Sequence, residues 1–236
     1  MLLLALDTAT RVCSVALGDE RTILAEYSLN NRRTHSQDLL PLIISLLESS
    51  GIHKNQLTGL AVNVGPGSFT GIRIGLATAK GFCQGLDIPA VGVIGLEALA
   101  GAAAFCPALI CPVLDARRNQ LYTALYRGGK DELQVLHPAA ALTLPELLTV
   151  LNRYDEDIIF LGDALLSFSL KLSSALGKRY REPPVSLQQN RAALILQRGL
   201  EIWEKKGGLP PVALEPFYLR LPEAERRLRA KRRGGK

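Results

Sequence analysis

The chain has 236 residues, 47% of them apolar, so it can bury a sizeable core and fits one large or two small domains. Its formal net charge of +6 is concentrated at one end. Residues 223–236 (EAERRLRAKRRGGK) hold seven Lys/Arg and two Glu, which leaves a near-neutral body. This composition excludes a uniformly basic nucleic-acid-coating protein. It leaves the tail open between a solvated, disordered or helical appendage and a segment that touches RNA phosphate. Cys13, Cys83, Cys106 and Cys111 stand in apolar contexts with no C-x-x-C pair. That pattern argues for core thiols in a reducing, cytoplasmic setting, against a zinc site or a disulfide framework.

The first thirty residues read as three strands. LLLALD is followed by a polar turn, then VCSVALGD, a second turn and TILAEYSL. The opening MLLLAL meets Asp7 with no charged segment before it, so a strand is expected there and not a signal peptide. THSQDLLPLIISLLESSG carries apolar residues at helical spacing, with Thr34 or Ser36 as cap, Asp38 in the first turn and Gly51 as stop. TGLAVNV is a buried strand that leads into VGPGSFTGIRIGLATAKGFCQG, which turns through Gly65-Pro66-Gly67 and continues as a helix. IPAVGV and the alanine-rich GLEALAGAAA follow. Residues 98–114 lack charge but number only 17, with Pro107 and Pro112 inside, and so do not span a membrane.

The pattern then repeats. At a shift of 108 residues Leu6 falls on Leu114, Asp7 on Asp115, Ala16 on Ala124 and Leu17 on Leu125. A weaker echo sets VNVG, ending at Gly65, against IFLG, ending at Gly162. The two echoes keep the same order, which suggests two α/β lobes of similar topology with an Asp-bearing hairpin at each centre. A helix from about Asn190 to Lys206 ends at Gly207-Gly208. Beyond Pro210-Pro211, the extended VALEPFYLR is expected to cross back to the first lobe.

The glycine segment is the most informative stretch. Gly67, Gly71, Gly75, Ala79 and Cys83 recur every four residues, so one helix face carries a bare strip. Each interior glycine costs roughly 1 kcal/mol relative to alanine, so the strip implies close packing there. The segment lacks both G-x-x-x-x-G-K-[ST] and the third glycine of G-x-G-x-x-G. Asp7, Thr8, Thr10 and Asp115 are the candidates for phosphate and magnesium in a cleft, or else simple hairpin caps. His35, His53 and His137 form no i, i+4 pair, and Ser68 has no evident base, so hydrolysis and a peptidase activity are disfavoured.

LALDTATRVCSVAL, THSQDLLPLI, VGPGSFTGIRIGLATAKGF, VLDARRNQLYTALY and EPFYLR, in this order, resemble the bacterial TsaB family, a small subunit of the machinery that puts threonylcarbamoyl on the adenosine beside the tRNA anticodon. The resemblance runs up to Arg220 and omits the basic tail. It implies an α/β fold of the actin/hexokinase/Hsp70 type, with two ribonuclease-H-like lobes and the second reduced. With the boundaries read above, the lobes are 1–104, joined by part of 209–221, and 105–208; the tail is 222–236.

The resemblance also implies a catalytic paralogue, TsaD, an ATPase partner, TsaE, no cofactor, and a chain that is not itself an enzyme. TsaD-type sequences carry two metal-binding histidines where this chain has Gly95 and Leu99 in GVIGLEAL. Two helices of TsaB-like proteins form the packing surface for TsaD or for a second copy. The residues expected on it are Leu39, Leu42, Ile43 and Leu46 on one helix and Gly71, Ile72, Gly75, Leu76, Ala79 and Phe82 on the other. A contact of the tail with tRNA is compatible with this reading. The alternative is a standalone ATP-dependent phosphotransferase of the same fold, which needs Asp7 and Asp115 to act together around magnesium-nucleotide.

Overall fold

The structure, a computed structural model, describes residues 1–31, 33–129 and 133–220. The expected tail, 222–236, lies outside the described residues. Along the first lobe run β1 (Leu3–Asp7), β2 (Cys13–Gly18), β3 (Ile23–Leu29), α1 (His35–Ser50), β4 (Gly59–Gly65), α2 (Phe69–Leu86), β5 (Ala90–Ile94) and α3 (Gly95–Gly101). In the second run β6 (Leu109–Asp115), β7 (Gln120–Arg127), β8 (Gln134–Thr143), α4 (Leu144–Leu151), β9 (Ile158–Leu161), α5 (Leu165–Leu176), β10 (Tyr180–Arg181) and α6 (Ala192–Lys206).

The two sheets have matching order, β3-β2-β1-β4-β5 and β8-β7-β6-β9-β10. In each, the first hairpin is antiparallel and the central strand then pairs in parallel with β4 or β9. The echo seen in the sequence is structural. Gly65, the last residue of β4, and Gly162, the residue after β9, have φ of 124° and 122°, a region that side chains rarely adopt. The second sheet differs in its far edge, where β9 has four residues and β10 two, and in its long outer strand β8 of ten.

Strand alternation sorts the core into layers. Leu4, Leu6, Val15, Leu17, Leu60 and Val62 face α1 and α2. Their neighbours Leu3, Ala5, Ala16 and Ala61 point to the opposite face, where Ile195 and Leu196 of α6 cover them. In the second sheet Leu109, Cys111 and Val113 pack against α4 and α5, while Ile110 and Leu114 meet Leu96 and Leu99 of α3.

The terminal helices therefore tie the two sheets together. α6 follows the second sheet but seats on the first, and α3 lies between them, with Leu96 and Leu99 against the second sheet and Gly95 and Ala98 against the first. Arg198 of α6 pairs with Glu97 of α3 at 3.0 Å, and Glu26 of β3 holds both Arg191 and the Ala193 amide. The segment 209–220 returns to the first lobe, where Leu209 bridges Ala90 and the Phe217 amide donates to Val64. It forms no strand. Pro210 and Pro211 start a short 3-10 turn, and the chain runs on as an irregular strap.

Candidate functional site: an interlobe cleft and a two-helix face

The turn between β1 and β2 is built around Asp7. Its Oδ1 accepts from the Ala9 amide at 2.9 Å and from Asn63 Nδ2 at 3.0 Å, and Asn63 Oδ1 in turn accepts from the Gly65 amide. Asp7 Oδ2 is buried with no hydrogen-bond partner among the described residues. Burial pushes the Asp7 pKa up to about 6, against the hydrogen bonds from Ala9 and Asn63.

Helix α2 lies directly on this turn. A Cβ on Gly67 would sit 2.2 Å from Ala9 O, on Gly71 2.0 Å from Thr8 O, and on Gly75 2.5 Å from Thr8 Oγ1. Thr8 Oγ1 donates to Gly71 O at 2.7 Å, and the Ser68 amide donates to Ala9 O at 2.7 Å. The glycine strip is the surface on which the chain's own first turn rests. Ser68 caps α2 by accepting from the Gly71 amide.

The strip therefore faces inward, and the expected docking residues are corrected. Leu39, Leu42, Ile43, Leu46, Ile72, Leu76 and Ala79 lie in the first-lobe core, Gly71 and Gly75 are buried against Thr8, and Phe82 alone of the ten is half-buried. An apolar stripe at helical spacing turns towards the nearest large apolar surface, here its own sheet. What α1 and α2 present outward is different. Leu40 and Ile44 are 51% and 48% exposed on α1. On α2, Ala77, Gly81 and Gly85 are exposed, and a Cβ on Gly81 or Gly85 would meet nothing within 4 Å. A signal for these three was present in the sequence. They form a second four-residue series, two positions out of step with the first and so about 200° around the helix.

Between the lobes lies a cleft of about 770 Å³. Its walls are the β1–β2 turn at 9–11, the start of α1 at 33–35, the segment 66–71, the β6–β7 turn at 114–118, Asp163 and the strap at 217–220. Of the four expected phosphate and magnesium residues, Thr10 and Asp115 line it, whereas Asp7 and Thr8 do not. Asp115 Oδ1 accepts from the Arg117 amide at 2.7 Å, and its own amide donates to Asp163 Oδ1. Burial raises the pKa of Asp163. Asp7 and Asp115, the pair that the magnesium-nucleotide reading needs, are thus not brought together on the cleft wall: Asp115 lines it, whereas Asp7 is buried on the α6 side of its sheet beside Asn63.

The cleft is instead rich in arginine. Arg11, Arg33, Arg117, Arg118 and Arg220 line it. Arg117, Arg118 and Asn119 take left-handed φ of 63°, 55° and 58°, which makes the β6–β7 turn tight. These arginines did not stand out in the sequence, because they come from four separate segments.

Positions 95 and 99, expected to stand in place of metal histidines, offer no ligand side chain. A Cβ on Gly95 would lie 2.5 Å from Asn63 Nδ2, and Leu99 is fully buried between α3 and the second sheet. No group of three or more His, Cys, Asp or Glu side chains close enough for a metal occurs among the described residues. No helix among them is long and apolar enough to cross a membrane.

Residues 22–178 match the family model described as TsaD, tRNA N6-adenosine threonylcarbamoyltransferase. The tRNA threonylcarbamoyladenosine biosynthesis protein TsaB of Bacillus subtilis is 34% identical over 225 residues, 95% of this chain and 96% of the relative. A solved structure titled YeaZ from Pseudomonas aeruginosa superposes with a TM-score of 0.74 at 26% identity, over 92% of this chain and 99% of that one. The (R)-2-hydroxyglutaryl-CoA dehydratase component A of Acidaminococcus fermentans, at 10% identity and a TM-score of 0.53, over 87% of this chain and 98% of that one, shares the fold alone. With the paired five-stranded sheets, this is the actin/hexokinase/Hsp70-type fold, and the chain belongs to the TsaB family of tRNA threonylcarbamoyladenosine biosynthesis proteins.

Proposed function

We propose that the chain is a non-catalytic subunit of the tRNA threonylcarbamoyladenosine-forming machinery, which docks and supports a catalytic subunit of the TsaD family through the outward face of α1 and α2. The observation that carries this reading is the outer strip of α2. Ala77, Gly81 and Gly85 lie open on a helix whose other face is already packed, beside a helix that exposes Leu40 and Ile44. Three small residues at four-residue spacing let a partner helix approach closely, and two large aliphatic side chains supply the apolar area that such contacts bury.

The non-catalytic part of the reading rests on position 95, which has no room for a ligand side chain, on the buried Leu99, and on Asp7 being buried beside Asn63, away from the cleft wall. The chain's contribution is then architectural. It holds the catalytic partner's helices in one arrangement, and TsaE joins the larger complex, which we place in the cytoplasm. A second copy of the chain can use the same two helices, so homodimer and heterodimer exclude one another. The basic tail adds a contact to tRNA.

Gly81→Leu tests the docking face. A Cβ at this position meets nothing within 4 Å among the described residues, so the fold is expected to stay intact while the partner is lost from co-purification. Retained binding at wild-type affinity refutes the assignment of the face. Gly75→Leu cannot serve, because it strikes Thr8 inside the molecule.

A further inference from the structure

We propose that the interlobe cleft is a metal-independent site for an unpaired nucleotide unit of RNA, its phosphate held by arginines from both lobes and its base laid on the tyrosines of the wall. The inference rests on the RNA-modification reading above, and it concerns a surface distinct from the α1/α2 face.

Charge is the first observation. Five arginines and two aspartates, Asp115 and Asp163, line the cleft, and Asp38 pairs with Arg33 at 3.1 Å, so the formal balance is +2. The whole body outside residues 223–236 carries only +1. Positive charge is therefore gathered here against a near-neutral background. The two carboxylates are turned to backbone amides and to Arg117, which leaves them poorly placed to hold a magnesium ion.

The arginines come from separate elements: Arg11 from the β1–β2 turn, Arg117 from the β6–β7 turn and Arg220 from the strap. The Arg117 side chain is 72% exposed, and Arg220 is steadied by a 2.8 Å hydrogen bond to Ala116 O. A guanidinium fork suits a phosphate oxygen pair, and forks from three sides enclose one.

Aromatic rings provide the second observation. Tyr122 and Tyr218 line the same cleft. Tyr218 packs against Phe69 with ring centroids 4.9 Å apart and planes tilted by 31°, and its hydroxyl accepts from Arg73 Nε at 3.2 Å, so the ring is held in place. Arginine beside aromatic rings in an open groove is the combination that takes unpaired nucleotides, phosphate by charge and base by stacking. A volume of about 770 Å³ admits a unit of nucleotide size and not a duplex.

The test uses the full-length chain with chelator present, a fluorescent single-stranded RNA octamer as probe, and a hairpin of the same length for comparison. Arg11→Gln/Arg117→Gln removes two charges and, with them, the exposed 3.7 Å ion pair of Arg117 with Asp115; circular dichroism checks that the fold stays intact. It is expected to weaken octamer binding about tenfold and to reduce the salt slope by about 1, the tail being the same in both proteins. Tyr218→Leu is expected to cost about tenfold at an unchanged slope. Unaltered binding in the arginine double variant, or equal preference for the hairpin, overturns the proposal. Competition by free AMP as strong as by RNA assigns the cleft to a free nucleotide, and competition by polyglutamate makes it a generic acid site; either result overturns the RNA assignment. None of these readouts depends on the TsaD-type partner, so failure here leaves the docking face standing.

Discussion

Gly71→Ala puts the inward strip to the most stringent test. The added methyl group would begin 2.0 Å from Thr8 O, a backbone atom that cannot swing aside as a side-chain tip could. Either α2 lifts or the β1–β2 turn retreats. Overpacking of this kind costs about 1–3 kcal/mol. Displacing the buried Thr8–Gly71 hydrogen bond adds roughly 1–3 kcal/mol. Alanine in a helix interior returns about 1 kcal/mol. The net expectation is a loss of about 3 kcal/mol, or roughly 6–12 °C in melting temperature for a chain of this size. Gly81→Ala is the control. It gains the same helix propensity with nothing within 4 Å to oppose it, and should raise the melting temperature by roughly 2–4 °C. Urea unfolding and calorimetry on both variants give the comparison. A Gly71→Ala protein as stable as the parent, or a Gly81→Ala protein as damaged as Gly71→Ala, refutes the inward assignment.

Other expectations follow from single contacts. Because burial raises the Asp7 pKa from 3.8 to about 6, the folded state holds its proton more tightly than the unfolded chain; this contribution is full below pH 3.8 and is lost as pH rises through 6. Asp7→Asn keeps the acceptor for Ala9 and Asn63. It should make the protein more stable than the parent at pH 8 by on the order of 3 kcal/mol, with the difference shrinking towards pH 4, as thermal melts across that range would show. Gly95→Ala drives a methyl group to within 2.5 Å of Asn63 Nδ2 and should lower the melting temperature by at least about 4 °C. Glu26→Ala releases Arg191 and the Ala193 amide at the start of α6, at a cost of about 2 kcal/mol in urea unfolding.

Much of the fold was written locally. The first helix is bounded by Thr34, whose hydroxyl and Gln37 form a capping box, and by Gly51 in a left-handed cap, both visible as residue types at fixed spacing. The duplication showed through Asp7 and Asp115, Gly65 and Gly162, because the same turn chemistry recurs at each lobe's centre. The periodicity of α2 revealed its strip but not what the strip meets, since that depends on where the β1–β2 turn lands. The seating of α6 on the first sheet was hidden for the same reason. Arg198 and Glu97 are 101 residues apart, and Arg191 and Glu26 are 165 apart. The arginine cleft assembles from segments as distant as Arg11 and Arg220, which no local pattern joins.

The central claim is that α1 and α2 turn their outer face to a catalytic relative, and the affinity of a TsaD-family subunit for Gly81→Leu tests it most directly. Titration calorimetry on the intact chain, with circular dichroism confirming the fold, should show a loss of at least about 30-fold, the ~2 kcal/mol that marks a residue near an interface centre. Wild-type affinity in a folded Gly81→Leu protein would contradict the account.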